Sequence, residues 1–256
     1  MKMQALNAEY VDHHGSDLLV VNAARASFDK ESTWADPMNK VLKQADAKLI
    51  RFLALGYRTS EWDALLNEII DHARHGSRAD LTELLIAFKR KPQHWAPFGH
   101  PHCTIRVTMP IFLARQFVKH QVGGVWSEES RRYVSDEPGV WFPDEWHTRP
   151  EDIKQGSGAV IQHNMVATDV AHCTTVNALC SYDELLKMGV APEEARIVLP
   201  LNMMTTVVWT GSLLFWSRVC NQRVDSHAQR AAQELGRGIA DIMRPLYPVS
   251  WRELCE

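Results

Sequence analysis

The sequence has no run of about 18 uncharged apolar residues, which excludes a helical bilayer span. It has no C-x-x-C pair: Cys103, Cys173, Cys180, Cys220 and Cys255 form an odd, scattered set. That pattern argues against a disulfide framework or a thiolate zinc site and for a reducing compartment. No apolar core of leader length follows Lys2, so a cytoplasmic protein is expected. A net charge of only −3 leaves no global field for nucleic acid or membrane. Neither G-x-x-x-x-G-K-[ST] nor G-x-G-x-x-G occurs, so the P-loop and Rossmann fingerprints are missing. Internal repeats, low-complexity tracts and clean linkers are absent too.

What remains is an ordinary globular composition, 45% hydrophobic and 23% charged. The nine tryptophans are suited to cores or a subunit interface. Residues 18–28 (LLVVNAARASF) read as a strand turning polar near Arg25 and Ser27. Helical spacing runs from Pro37 to Leu53 and closes at Gly56. Ser60 is expected to cap a second helix with Trp62, Leu65, Leu66, Ile69 and Ile70 inward. Asp80 is expected to cap a third with Leu81, Leu84, Leu85 and Phe88 inward. Residues 91–102 are a Pro- and His-rich loop.

Ile105, Val107 and Met109 alternate with polar residues as a half-buried strand, and Pro110 then suits a helix start. Residues 135–158, ending in Gln155-Gly-Ser-Gly158, form a long surface excursion. From Ala159 to Met188 one long helix or two collinear ones are expected, stopped by Gly189, and Pro192 opens the next. Thr205–Trp209 is a strand, Leu213–Val219 a helix, and Asp225 caps a last helix over roughly 226–244 that Pro245 ends. The sum is a single α+β domain over 1–256, helix-rich, with one modest, mainly antiparallel sheet.

The polar chemistry concentrates in Arg115–Tyr133 (RQFVKHQVGGVWSEESRRY). Clustered Arg and Lys beside Gly123-Gly124 suit a phosphate, because charge-assisted bonds are strong and glycine lets backbone N–H groups approach. Gln116 and Glu128 add groups able to read a planar heterocycle. A solvated helix end is the plainer alternative. If the spacing is helical, Arg115 and Lys119 share one side and Gln116 and His120 another. Arg196 and Arg223 stand in apolar company and need an anionic or planar partner, with an ion pair to Glu194 or Asp225 as the structural alternative. His227 is explained as well by a capped helix start as by catalysis. His100-Pro-His102-Cys103 lacks the further ligands of a metal site, and His13-His14 is weaker. No cysteine has the electropositive setting of a nucleophile.

These residues resemble the flavin-dependent thymidylate synthases. The family's R-H-R, seven residues, then S, falls on Lys119-His120-Gln121 and, one residue later than usual, on Ser130. Ser127–Tyr133 resembles the second half of its wider pattern. Pro97–His100 (PFGH) is similar to its PFEH, Ala195–Asn202 (ARIVLPLN) matches closely, and Arg223–Gln229 (RVDSHAQ) resembles R-A-D-S-H-A-Q. Ala23–Ser27 (AARAS) resembles an early A-A-R-x-S. The K-H-Q form looks like a divergent, phage-type branch.

The resemblance implies reductive methylation of deoxyuridylate at carbon 5. FAD would supply the hydride, NADPH would re-reduce it, and 5,10-methylenetetrahydrofolate would supply the carbon. It also implies a homotetramer with sites shared between subunits, and small-molecule rather than nucleic-acid or membrane partners. Gln116, Glu128, Ser130, Arg131, Arg132 and Arg196 would bind deoxyuridylate. Arg223 would be catalytic, polarising the pyrimidine. His94, Lys119, His120, Gln121, Ser212 and Arg218 would contact FAD, and Glu128 would sit where nucleotide and flavin meet.

Departures fall mainly on the flavin side. Lys119 and Gln121 replace arginines, Ser212 and Leu214 replace Asn and Arg, Arg218 replaces Asn, and Ala96 and Gly99 replace Thr and Glu. The same chemistry on deoxycytidylate, or hydroxymethylation, stays open. So does a non-catalytic nucleotide- or single-strand-binding protein, in which Trp126 and Tyr133 would stack on bases.

Overall fold

The computed structural model describes all residues except 76–77, 90–93, 134–135 and 150–156, and only the backbone of 59–60, 78–79 and 87–89. The capping side chain expected at Ser60, the inward Phe88 and Gln155 lie outside the described residues. The strands are β1 (Lys2–Met3), β2 (Asn7–His14), β3 (His102–Pro110), β4 (Gly124–Glu128), β5 (Gly139–Val140) and β6 (Met204–Ser212). The chain forms two compact units, one from 1–12, 104–210 and 222–240, the other from 13–103, 211–221 and 241–256.

The first unit is built on a sheet ordered β2-β3-β6-β4. Ile105, Val107 and Met109 of β3 are fully buried, as the alternation requires. Thr104 bonds Thr210 at 2.9 Å and Thr108 bonds Thr206 at 3.2 Å. Moving four residues along β3 moves four back along β6, so the two are antiparallel. β1 and β5 pair separately and in parallel. After β3 the extended Pro110 precedes the helix Ile111–Phe117, its missing N–H costing nothing there. The long helix Asn164–Lys187 ends where Gly189 takes φ +86°. Pro192–Ala195 and the tight turn Arg196–Val198 follow.

In the second unit the helices Asp17–Arg25, Gln44–Leu53 and Pro248–Cys255 pack on one another, and Thr59–His75 packs on Arg78–Lys89. Trp216 and Trp251 are buried here, as is Trp209 in the first unit, which fits the core role expected for the tryptophans.

Several expectations need correction. LLVV is helical, inside Asp17–Arg25. A β-branched residue costs only tenths of a kcal/mol in a helix, whereas burying Val20 and Val21 returns about 1.5–3 kcal/mol each. The helix expected from Pro37 starts at Gln44, because the Asp36 carboxylate takes the N–H groups of Met38 and Asn39 into a turn. Asp80 lies in the first turn of its helix rather than capping it. Leu66, Ile70 and Leu85 are exposed rather than inward.

The helix carrying Gln116 stops at Phe117, so Lys119 and His120 lie beyond it rather than on its face. Residues 124–128 are the strand β4, hidden in the sequence by the glycine pair on which it opens. The last long helix runs Arg230–Leu246, with Pro245 inside it. Asp225 instead holds the tight turn before it, accepting the His227 N–H at 2.8 Å. The closing helix Pro248–Cys255 was not foreseen.

Candidate functional site

Most of the residues proposed from the sequence fall into two groups within the first unit. One lines a cleft of about 1080 Å³ and comprises Glu128, Ser130, Arg131, Arg132 and Arg196. β4 ends at Glu128, and the Glu129 N–H bonds the Thr206 carbonyl of β6, which fixes the following turn. Glu128 accepts the Thr205 hydroxyl at 2.9 Å and the Trp126 indole N–H at 3.2 Å. Trp126 packs edge-on to Trp209, with centroids 4.9 Å apart. Arg131 is tied down, its Nη1 donating to the Asp136 carbonyl at 2.6 Å with Glu129 at 3.9 Å.

Arg132 spends its Nε–H on Ser130 Oγ at 3.2 Å, and Arg196 spends its own on the Glu193 carbonyl at 3.1 Å. Among the described residues the Nη groups of Arg132 and Arg196 have no hydrogen-bonded partner. Two guanidinium forks left open in one cleft suit a phosphate or carboxylate. Glu128, Glu129, Glu193 and Glu194 line the same cleft, so selection there depends on geometry rather than on net charge.

The second group is centred on Arg223, and neither it nor Gln116 lines that cleft. Arg223 donates from Nε to His120 Nε2 at 3.0 Å and from Nη2 to the Gln116 carbonyl at 2.9 Å. Its guanidinium lies 5.5 Å from the Phe117 ring centre. The Gln116 carbonyl is one of the orphan acceptors of a helix end, so Arg223 also caps Ile111–Phe117. The Gln116 side chain donates to Gln229 Oε1 at 2.6 Å. Burial, and then the nearby Arg223 charge, push the His120 pKa down to about 4. Burial also lowers that of Arg223. Among the described residues no ion pair joins Arg223 to Asp225 or Arg196 to Glu194; Asp225 pairs with His227 at 3.0 Å.

The remaining candidates are exposed except for Ser212. Lys119 and Gln121 are exposed. In the second unit, His94 packs its ring 5.8 Å from Phe52, and Arg218 is exposed. Ser212 is buried, accepting the Phe215 N–H at 3.1 Å as a helix cap. Burial raises the pKa values of Cys220 and Cys255, which removes them as nucleophiles. Among the described residues no group of three or more His, Cys, Asp or Glu could hold a metal, and no helix is long and apolar enough to cross a membrane.

Thr205, Gln229 and Phe117 support the site without being among its expected residues. Gln229 and Thr205 lie inside motifs the sequence displays, so a signal exists. Phe117 reads as a core residue, and Trp126, expected only to stack on bases, holds the Glu128 carboxylate. A larger cleft, about 1420 Å³, lies between Trp141–His147 and Gln229–Ala231 and contains none of the candidate residues.

The helix-rich α+β architecture is that of a known class of proteins. The profile described as "Thymidylate synthase complementing protein" matches residues 9–249, and the chain belongs to that family, whose curated relatives are named flavin-dependent thymidylate synthases. The one from Thermotoga neapolitana is 30% identical over 253 residues, covering 97% of this chain and 91% of that one. The one from Thermosipho africanus is 35% identical over 168 residues, 64% of this chain and 72% of that one. The fold is shared with a UMP/dUMP methylase, PolB, from Streptomyces cacaoi, crystallised with 5-Br dUMP. That match has TM-score 0.72 and 24% identity, and covers 99% of this chain and 96% of that chain.

Proposed function

We propose that the chain is a flavin-dependent enzyme that methylates deoxyuridylate at carbon 5, with 5,10-methylenetetrahydrofolate as carbon donor and NADPH as reductant. The observation that carries this reading is the pair of open guanidinium forks, Arg132 and Arg196, beside the anchored carboxylate of Glu128. The forks would take the nucleotide phosphate, with Ser130 and Arg131 shaping the turn. Arg223 would sit against the pyrimidine, where a fixed positive charge favours the anionic ring and makes carbon 5 more nucleophilic. Arg223 is outside the cleft of its own chain. We therefore take the complete site to combine the cleft of one copy with the Arg223, Gln116 and Lys119 group of another, as the homotetramer expected from the resemblance would supply.

The flavin-side residues, His120 among them, would each offer FAD a polar contact. Lys119 and Arg218 are exposed cations suited to a diphosphate. Ser212 keeps a hydroxyl proton to donate, and His94 and Gln121 offer exposed polar groups. When bound, the flavin supplies the hydride. The protein's share is to bind the nucleotide, orient the ring and hold charge beside it. The family match runs through both units, and the reading takes 1–256 as one catalytic domain acting in a bacterial or phage-infected cytoplasm.

The test is incubation with FAD, NADPH, 5,10-methylenetetrahydrofolate and, in separate arms, dUMP, dCMP and UMP, with products read by mass. A 14 Da gain on dUMP is expected, roughly one CH₂ as transfer to carbon 5 requires. Turnover of dCMP alone would move the substrate, and a hydroxymethyl mass would change the reaction. No turnover without a flavin absorption band, combined with salt-sensitive binding of single strands, would favour the non-catalytic alternative.

A further inference from the structure

We infer that His120 is the positioning residue of Arg223: it accepts the arginine's Nε–H as a neutral imidazole and so aims the guanidinium without cancelling its charge. The resemblance places His120 only among flavin contacts; the geometry points to a second and separate task. The inference rests on the reading of Arg223 given above.

A guanidinium carries five N–H donors. Two are spent, one on His120 Nε2 and one on the Gln116 carbonyl. The other three have no hydrogen-bonded partner among the described residues. The stem is confined as well. A Cβ on Gly236 would come within 3.3 Å of Arg223 Cβ and 3.1 Å of Val224 Cγ2, so glycine there allows a close approach. Phe117 lies alongside the guanidinium. Both acceptors are uncharged. A carboxylate in place of His120 would orient the arginine equally well, but it would neutralise the field that the pyrimidine is meant to feel. The nearest acid in sequence, Asp225, is occupied by the N–H and ring of His227.

The pairing also settles the histidine's tautomer. Arginine Nε can only donate, so His120 Nε2 must be the bare nitrogen and the proton resides on Nδ1. The low proton affinity of this ring, from burial and the adjacent cation, keeps it in that form through the neutral range.

The test compares His120→Ala, His120→Gln, Arg223→Lys and the double variant His120→Ala/Arg223→Lys. A glutamine amide oxygen reaches about as far as Nε2 and can accept the same N–H; alanine cannot. His120→Ala should lower kcat about tenfold or more, the loss of one hydrogen bond to a charged group. With kcat read at saturating FAD, because His120 also stands among the expected flavin contacts, nucleotide KM should stay unchanged and His120→Gln should recover most of the loss. The double variant should be no slower than Arg223→Lys alone, since lysine has no Nε–H to give. Equal kcat losses in the Ala and Gln variants at saturating FAD, or additive losses in the double variant, would overturn the assignment.

Ring ¹⁵N spectra of His120 make the test independent of the substrate reading. An Nδ1–H tautomer with a slowly exchanging Arg223 Nε–H is expected even if no nucleotide turns over. An Nε2–H tautomer would overturn the inference. Failure to turn over dUMP, with the spectral signature present, would count against the substrate alone.

Discussion

Two sets of arginines show the difference between holding the fold and serving a site. In the second unit Arg25 donates to Asp46 at 2.5 Å, and the Ser32 hydroxyl donates to the same fully buried carboxylate. Each charge of that ion pair is matched by the other, although Arg25 spends one N–H there and its buried Nε has no hydrogen-bonded partner. Asp17, also buried, is spent on the Val249 and Ser250 N–H groups at 2.8 and 2.9 Å, fixing the start of the last helix. In the first unit Arg132, Arg196 and Arg223 each give one or two N–H groups to neutral acceptors and keep the rest. A charge fully matched internally contributes to folding. A charge anchored by neutral groups keeps its field and its free donors for something else.

Breaking each side of this contrast should hurt different quantities. The largest effect is expected from Arg223→Ala, where kcat should fall by about 10²–10³, the range for removing a preorganised electrostatic contact. Folding should lose only about 1 kcal/mol, for the helix-end carbonyl it caps. Steady-state turnover beside a thermal melt measures both. Arg25→Ala should do the reverse. It strands Asp46 in the interior at a cost of roughly 3–5 kcal/mol, or about 10 °C in Tm. Turnover per folded molecule should be kept, which activity normalised to the native fraction would show.

Next in size is Arg196→Ala. Losing a charged hydrogen bond of roughly 1.5–3 kcal/mol should raise the nucleotide KM about 10- to 100-fold with little change in kcat or Tm. A kcat loss as large as that of Arg223→Ala would erase the distinction between holding the phosphate and polarising the ring.

The smallest effect is a pH dependence. His120 titrates below its unfolded value, so the unfolded chain takes up a proton near pH 6.5 that the native state refuses until about pH 4. Stability from this residue is complete above the unfolded value and is lost as pH falls through that interval. The loss is roughly 1–2 kcal/mol once screening at a partly exposed ring is allowed for. Urea midpoints between pH 4 and 7 should show the decline, and His120→Gln should remove its share.

Much of this was legible beforehand, for identifiable reasons. Ile105, Val107 and Met109 announce β3 because a strand buried on one face must alternate. Gly189 marks a helix end because a left-handed φ is cheap only without a Cβ. Clustered Arg132, Ser130 and Arg196 marked the cleft, since such residues gain little from a core. LLVV misled because local β preference is weaker than the burial of two valines. Lys119 and His120 misled because a helix continued by pattern alone ends, in the folded chain, where Arg223 takes the Gln116 carbonyl. β4 was concealed because five residues opening on the second of two glycines carry too short a period to distinguish strand from turn.

The residue order of this chain determines the family, the main strands and the kinds of side chain available for an anionic nucleotide, because those depend on neighbours a few positions apart. Which arginine is consumed and which is left open was decided by tertiary structure alone. His120 and Arg223 lie about a hundred residues apart, and Thr205 reaches Glu128 from another strand. Hydrogen bonds over such separations depend on where the folded backbone places each donor, and no local pattern encodes that.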